Sequence, residues 1–337
     1  MNARARLTAL TALLGLALAA RISRADDSET EKWVPISEGV TTQLVNDGKK
    51  IGYPGLTAGV AVDRTTGDLF MVVCDQGVWK SSDQGRTFAR VDEGAIGGRC
   101  ETGYAFDPAP AGKGLAAFMV YGGCGLSRDG GKSWIKFKSS HFDCGAVDWE
   151  AGGKTLLAIR HESGGTLAYS TDEGQSWTDL GKGFTNGVGL FDARTLVATK
   201  GRGMLRSDDA GANWIEVSDL QVVGGTMYVA NNVGYWCTEK GLAITRDKGV
   251  TWSVPGAAIL ATHGPYFGRD EQHLVIGSPD GLFESKDGGG SWEKIAPLPE
   301  GFTIRKSGQS YANFAWDPLN NILYASTMGK PTYRWRR

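Results

Sequence analysis

Six copies of one eight-residue motif are spread along this chain: SSDQGRTF (81–88), SRDGGKSW (127–134), STDEGQSW (170–177), SDDAGANW (207–214), TRDKGVTW (245–252) and SKDGGGSW (285–292). Their shared carboxylates are Asp83, Asp129, Asp172, Asp209, Asp247 and Asp287, spaced 37 to 46 residues apart. A unit of about 40 residues is too short to bury its own apolar face, so the copies must stack on one another. That period matches a four-stranded propeller blade.

The flanks of each motif fit that reading. A short strand opened by Gly precedes it (GVWKS, GMLRS, GLAIT, GLFES), and a further strand follows it (WIEVSD, WEKIAP). Each blade therefore reads as strands A, B and C, then the motif, then D, which makes the motif the C-to-D hairpin turn. The 49 Gly and 11 Trp suit many tight turns between short aromatic-rich strands. In such a turn the Asp accepts hydrogen bonds from turn amides, the Gly two residues later supplies unusual backbone angles, and the closing aromatic packs between blades. The six aspartates thus count blades and do no chemistry.

Six motifs predict seven blades. After Ser310 the chain supplies strands A (about 310–316), B (about 322–326) and C (about 332–336) but neither motif nor D. The segment EKWVPISEGV (31–40) has the shape of the missing D strand, with Trp33 in the closing aromatic position. Joining the two termini in one blade removes open edge strands. The expected fold is an all-β, seven-bladed β-propeller closed by an N-terminal strand, with six blades as the alternative.

The motifs resemble the Asp-box, or bacterial neuraminidase repeat, over nearly the whole chain after the leader. That resemblance implies the propeller fold and leaves function open. The repeat occurs in sialidases, xyloglucan-degrading glycosidases, some polysaccharide lyases, sortilin-type receptors and the photosystem II assembly propeller. Sialidases carry an Arg-Ile-Pro element near the first strand. Here the corresponding region, GYPGLTAGVAVD, has no Arg before Arg64, which argues against a sialidase.

Residues 1–25 read as a signal peptide: Arg4 and Arg6, an apolar run from Leu7 to Ala20, then small residues, with cleavage after Ala19 or Ala25. The run is shorter than the ~20 residues of a membrane span. A secreted or periplasmic protein follows, with residues 26–337 as a single propeller domain and no stable membrane insertion. The 36 basic and 37 acidic side chains nearly cancel, so nothing recommends nucleic acid as a partner. A monomer is expected.

In a propeller the D-to-A and B-to-C loops surround one mouth of the central channel, where ligand sites concentrate. Those loops hold Arg99, Glu101, His141, Asp143, His161, Glu162, Lys200, Arg202, Glu239, Lys240, His263, Tyr266, Asp280, Arg305 and Lys306. A glycosidase needs two carboxylates across the scissile bond, and Glu101 and Asp143 occupy equivalent loops of adjacent blades. A lyase acting on a uronic acid needs a cation against the carboxylate and a base for the C5 proton. Arg99 or Arg202 suits the first task; His263 with Tyr266, or His141, suits the second. The catalytic candidates are Glu101, Asp143, His263 and Tyr266. Arg99, His141, Glu162, Arg202, Lys240 and Arg305 are expected to bind substrate. The expected partner is a glycan or polysaccharide, and the alternative is a non-catalytic binding or assembly propeller with a protein partner.

Of five cysteines, Cys100 and Cys144 precede strand A of consecutive blades by similar offsets, so a disulfide is expected between them. Cys74 and Cys237 lie too far apart to pair, and Cys124 is a buried core residue. No Cys-x-x-Cys, His-Glu-x-x-His or phosphate-cradling spacing occurs, so neither metal nor cofactor is expected.

Overall fold

A computed structural model describes residues 30–99, 104–109, 112–304 and 311–337. The leader, Cys100, Glu101, Arg305 and Lys306 lie outside the described residues. The chain enters on β1 (Trp33–Pro35) and a helix, α1 (Glu38–Asn46), and then builds antiparallel sheets in sequence. Blade 1 is β2 (Thr57–Val62), β3 (Leu69–Val73), β4 (Gly77–Ser81) and β5 (Ala89–Arg90). Blade 2 is β6 (Tyr104–Phe106), β7 (Leu115–Ala117), β8 (Gly125–Ser127) and β9 (Ile135–Lys136). Blade 3 is β10 (Phe142–Val147), β11 (Leu156–Arg160), β12 (Leu167–Ser170) and β13 (Thr178–Asp179). Blade 4 is β14 (Phe184–Leu190), β15 (Leu196–Lys200), β16 (Gly203–Ser207) and β17 (Ile215–Ser218). Blade 5 is β18 (Tyr228–Ala230), β19 (Val233–Thr238) and β20 (Gly241–Thr245), its outer position marked by a single bridge between Ile244 and Ser253. Blade 6 is β21 (His263–Phe267), β22 (Leu274–Ser278), β23 (Gly281–Ser285) and β24 (Glu293–Ala296). Blade 7 is β25 (Asn313–Asp317), β26 (Ile322–Ser326) and β27 (Tyr333–Arg336), completed by β1. The protein is therefore a seven-bladed β-propeller.

The closure follows the expected plan. β1 pairs with β27, Trp33 lies opposite Trp335, and their rings sit 5.5 Å apart. Trp33 Nε1 also donates to the Pro297 carbonyl of blade 6 at 2.8 Å. The D strand expected over 31–40 is, however, only three residues long. From Glu38 the chain turns helical because Val40 and Leu44 recur at helical spacing and pack on Met71, Val73 and Trp79 of blade 1. Ser37, at the helix start, spends its hydroxyl on the Thr332 amide at 2.9 Å and so ties helix to blade 7.

All six motifs form the same turn. In the first, Ser81 Oγ donates to Asp83 Oδ1 (2.8 Å) and accepts from the Gly85 amide (2.8 Å). The other contacts hold the far side: Asp83 Oδ1 accepts from the Thr87 amide (2.8 Å) and Oδ2 from the Thr87 hydroxyl (2.6 Å). The residue four beyond each aspartate always supplies both contacts, being Thr87, Ser133, Ser176, Asn213, Thr251 and Ser291 in turn. Gly85 has φ +84°, in the region that glycine occupies without steric cost. Hydrogen bonds from Asn213 and Ser207 hold the Asp209 carboxyl down at about 2. The closing aromatics reach neighbouring blades, as where Trp134 Nε1 donates to the Val91 carbonyl at 3.0 Å.

Between the blades, buried apolar side chains interdigitate. Phe70, Leu115, Phe118, Leu126 and Phe142 share one cluster across blades 1 to 3. Burial of each such side chain contributes about 1.5 to 3 kcal/mol. The innermost strands carry irregularities at the same end: the β2, β10, β14 and β21 registers shift between Thr57 and Val60, Phe142 and Cys144, Phe184 and Val188, and His263 and Tyr266. Bulges of this kind bend a strand and re-aim its side chains. Among the described residues no helix is long and apolar enough to cross a membrane.

Candidate functional site

The channel encloses a cavity of about 600 Å³. Its wall is built from inner strands of several blades, including Asp143 of β10, Phe184 of β14, His263 and Tyr266 of β21, and Phe314 and Trp316 of β25. The segment before β18 runs along it and is pinned by a hydrogen bond from Thr226 Oγ1 to the Gly145 carbonyl (3.0 Å).

Of the expected site residues, Asp143, Glu162, Arg202, His263 and Tyr266 line this cavity. Lys240 is exposed in the turn between β19 and β20 and is not part of the wall. Arg99 and His141 stand beside the cavity, in the group described below. Glu101, Arg305 and the cysteine expected to bridge Cys144 are among the undescribed residues. Cys144 itself is fully buried in the packing of β10, where burial pushes its thiol pKa up. Cys74, Cys124 and Cys237 are free thiols, and burial raises the Cys74 thiol to about 12 and the Cys124 thiol to about 11.

His263 and Tyr266 stand half-buried in the cavity wall. Burial lowers the His263 pKa to about 4, against a backbone hydrogen bond to Ala312, so the ring is neutral at pH 7. Its Nδ1 lies 2.9 Å from Thr262 Oγ1, and the ring meets Phe314 edge-on at 5.3 Å. Burial raises the Tyr266 hydroxyl well above its ordinary value.

The densest chemistry is at the rim of blades 1 to 3. β10 and β11 form one hairpin, and Phe142 opposite Arg160 marks its open end. His141 and Asp143 therefore leave one side of that end, and His161 and Glu162 the other. A hydrogen bond from the His161 amide to the His141 carbonyl (2.7 Å) holds the two loops together. Asp143 Oδ1 lies 2.5 Å from His161 Nδ1, and the opposite ring nitrogen, Nε2, lies 3.2 Å from Tyr121 Oη and 3.5 Å from Glu162 Oε1. The rings of Tyr121, His141 and His161 meet edge to face at centroid separations of 4.5 to 5.1 Å. Over the other face of this group, the Arg99 guanidinium sits 4.9 Å from the Tyr121 ring and 5.5 Å from the Tyr53 ring. Tyr121, His141 and Glu162 all have positive φ (58°, 76° and 51°), a cost borne where the surrounding structure dictates the conformation.

An aspartate on one imidazole nitrogen fixes the tautomer, leaving the other nitrogen free to take a proton from a donor such as Tyr121. With a guanidinium against that same tyrosine, the group can move a proton and hold an anion at one place. Tyr53 and Tyr121 had no part in the expected site. The period alone puts residues 118–124 in the B-to-C loop of blade 2, which is the signal that finds Tyr121.

No family model matches the chain. Dispase autolysis-inducing protein from Streptomyces mobaraensis is 27% identical over 171 residues, which is 46% of this chain and 44% of that protein. The chain thus spans less than half the length of the curated relative it matches. Among solved structures, YCF48 bound to a D1 peptide superposes with a TM-score of 0.51 at 13% identity, covering 91% of this chain and 95% of that one. The extracellular domain of the BT4673 hybrid two component system from B. thetaiotaomicron gives 0.55 at 10% identity, covering 91% and 40%. At these identities the likeness is one of fold.

Proposed function

We propose that this protein is an exported Asp-box propeller that cleaves uronic-acid-containing polysaccharides by β-elimination at the rim of blades 1 to 3. The observation that carries this reading is the chain Asp143, His161, Tyr121, with Arg99 stacked on the tyrosine. Arg99 pairs with the uronate carboxylate and stabilises the charge that builds there as C5 loses its proton. Tyr121 Oη accepts the C5 proton while passing its own to His161 Nε2, and Asp143 stabilises the imidazolium that results. The C5 electron pair forms the C4=C5 double bond, the C4–O bond breaks, and the leaving oxygen takes a proton from Tyr121 Oη, which recovers its own from His161 Nε2 at 3.2 Å, while His141 packs edge-on against the Tyr121 ring at 4.5 Å. Tyr53, 75% exposed, offers a stacking face for a neighbouring sugar. The glycosidase alternative has less support, because Asp143 is engaged by His161 rather than presented to a sugar.

A second reading has one observation in its favour. The curated relative is named for inducing autolysis of dispase, which is an effect on a protein. Carried over, that name makes this chain a propeller that engages a protein partner through the same exposed tyrosines.

The test is a screen of the purified protein, as a monomer, against pectic, alginate-like and glucuronate-containing polysaccharides, following the absorbance of unsaturated uronates. Such product, abolished in Tyr121→Phe, supports the lyase. Intact polysaccharides throughout would refute it and leave the protein-binding reading.

A further inference from the structure

His141, His161 and Glu162 each present one ligand atom, and the three atoms lie within 4.8 Å of one another. We propose that they form a binding site for a divalent transition metal of the zinc type. This site goes beyond the lyase reading and stands without it.

The geometry supports the proposal at each ligand. Two ligand atoms on a tetrahedral ion with bonds near 2.0–2.1 Å stand about 3.4 Å apart. His161 Nε2 and Glu162 Oε1 are 3.5 Å apart. His161 is already oriented as a ligand: Asp143 accepts from Nδ1 at 2.5 Å, which leaves the Nε2 lone pair facing outward. A carboxylate behind a ligating histidine fixes its tautomer and raises its basicity. His141 reaches the same point from across the hairpin end, held by the backbone bond between the two loops. Two imidazoles and a carboxylate form the donor set that zinc takes with a fourth position open to water or substrate. Glu162 is the adjustable member, because its side chain is 66% exposed.

The site was not readable as a linear motif, since the ligands come from the two ends of one β-hairpin rather than from one helix or knuckle. Tyr121 Oη lies 3.2 Å from the same Nε2 that would bind the ion. Metal and tyrosine thus compete for one lone pair.

The experiment titrates the chelator-treated full protein with Zn²⁺ alone by calorimetry, and with Co²⁺ alone by visible absorption. One equivalent should bind, with tetrahedral cobalt bands. Glu162→Gln should weaken binding about tenfold, and Asp143→Asn by about 10- to 100-fold, because His161 loses the carboxylate that orients its ring and raises its basicity. His141→Ala should abolish the cobalt bands. Glu162→Gln, on an exposed side chain, keeps the test valid if His141→Ala does not fold. No saturable binding, or wild-type affinity in Glu162→Gln and Asp143→Asn, would overturn the site whatever the activity screen returns.

Discussion

His161 Nδ1 stands 2.5 Å from Asp143 Oδ1, and every chemical reading of the rim depends on that pair. In Asp143→Asn the imidazole loses the charge that stabilises its protonated form, and the new amide can turn its NH2 toward Nδ1 and reverse the tautomer. Uronate cleavage should fall about 100-fold or more. The far-ultraviolet circular dichroism spectrum should match wild type. Retention of more than a third of the activity would remove His161 from the proton path.

Zinc should inhibit that cleavage. Once the ion occupies His161 Nε2, Tyr121 has no acceptor for its proton, so activity should decline as the site fills. A chelator should restore it. Activity that rises with added zinc would mean that the ion takes part in the reaction, and the proton path through Tyr121 and His161 would be wrong.

The fold was legible because the motif is a local turn with a local cause. Ser, Asp, Gly and the residue four beyond the Asp satisfy one another within eight residues, so sequence alone places each C-to-D turn and hence each blade. Trp33 was legible for the same reason, as the aromatic of a D strand lacking its own blade. Helix α1 was not, because its apolar spacing is short and it forms only by docking on blade 1. The site was half legible. The hairpin register brings His141, Asp143, His161 and Glu162 together, which the period allows one to infer. That Tyr121 of the preceding blade lies over His161, while His263 stands half-buried against Thr262 and Phe314, depends on loop conformations with positive φ that no composition signals.

Glu284 gives the acid-stability prediction. Its side chain is 4% exposed, and although burial opposes its charge, Arg337 at 2.9 Å and His273 at 2.8 Å hold its carboxyl down at about 2, below the ordinary 4.5. A carboxyl depressed in the folded state contributes stability in full above its unfolded value and loses it as pH falls from about 4.5 to about 2. Arg337→Ala should therefore cost about 2 kcal/mol at pH 7, the worth of a hydrogen bond to a charged group, because His273 and Lys286 remain beside the carboxylate. The difference from wild type should shrink through that window and vanish near pH 2. Urea unfolding at pH 7, 4 and 2.5 measures it, and a gap that stays constant across these values would show that the pair contributes no pH-dependent stability.

Trp33 tests whether the ring depends on its N-terminal strand. The side chain spans two blades, stacking on Trp335 of blade 7 and donating to Pro297 of blade 6. Trp33→Ala removes both contacts while leaving the β1 backbone pairing in place. A half-buried tryptophan of this kind is worth about 2 kcal/mol, roughly half of a fully buried one. In a protein of this size that loss lowers Tm by about 4 °C. Deleting residues 30–36 goes further, because it exposes the outer edge of β27 as an unpaired strand. That variant should unfold in a broader transition and associate through the open edge, seen as a concentration-dependent shift in light scattering. If it stays monomeric with the wild-type Tm, β27 does not need its N-terminal partner, and the ring is closed by contacts between blades 7 and 1 such as the bond from Thr57 Oγ1 to the Lys330 carbonyl.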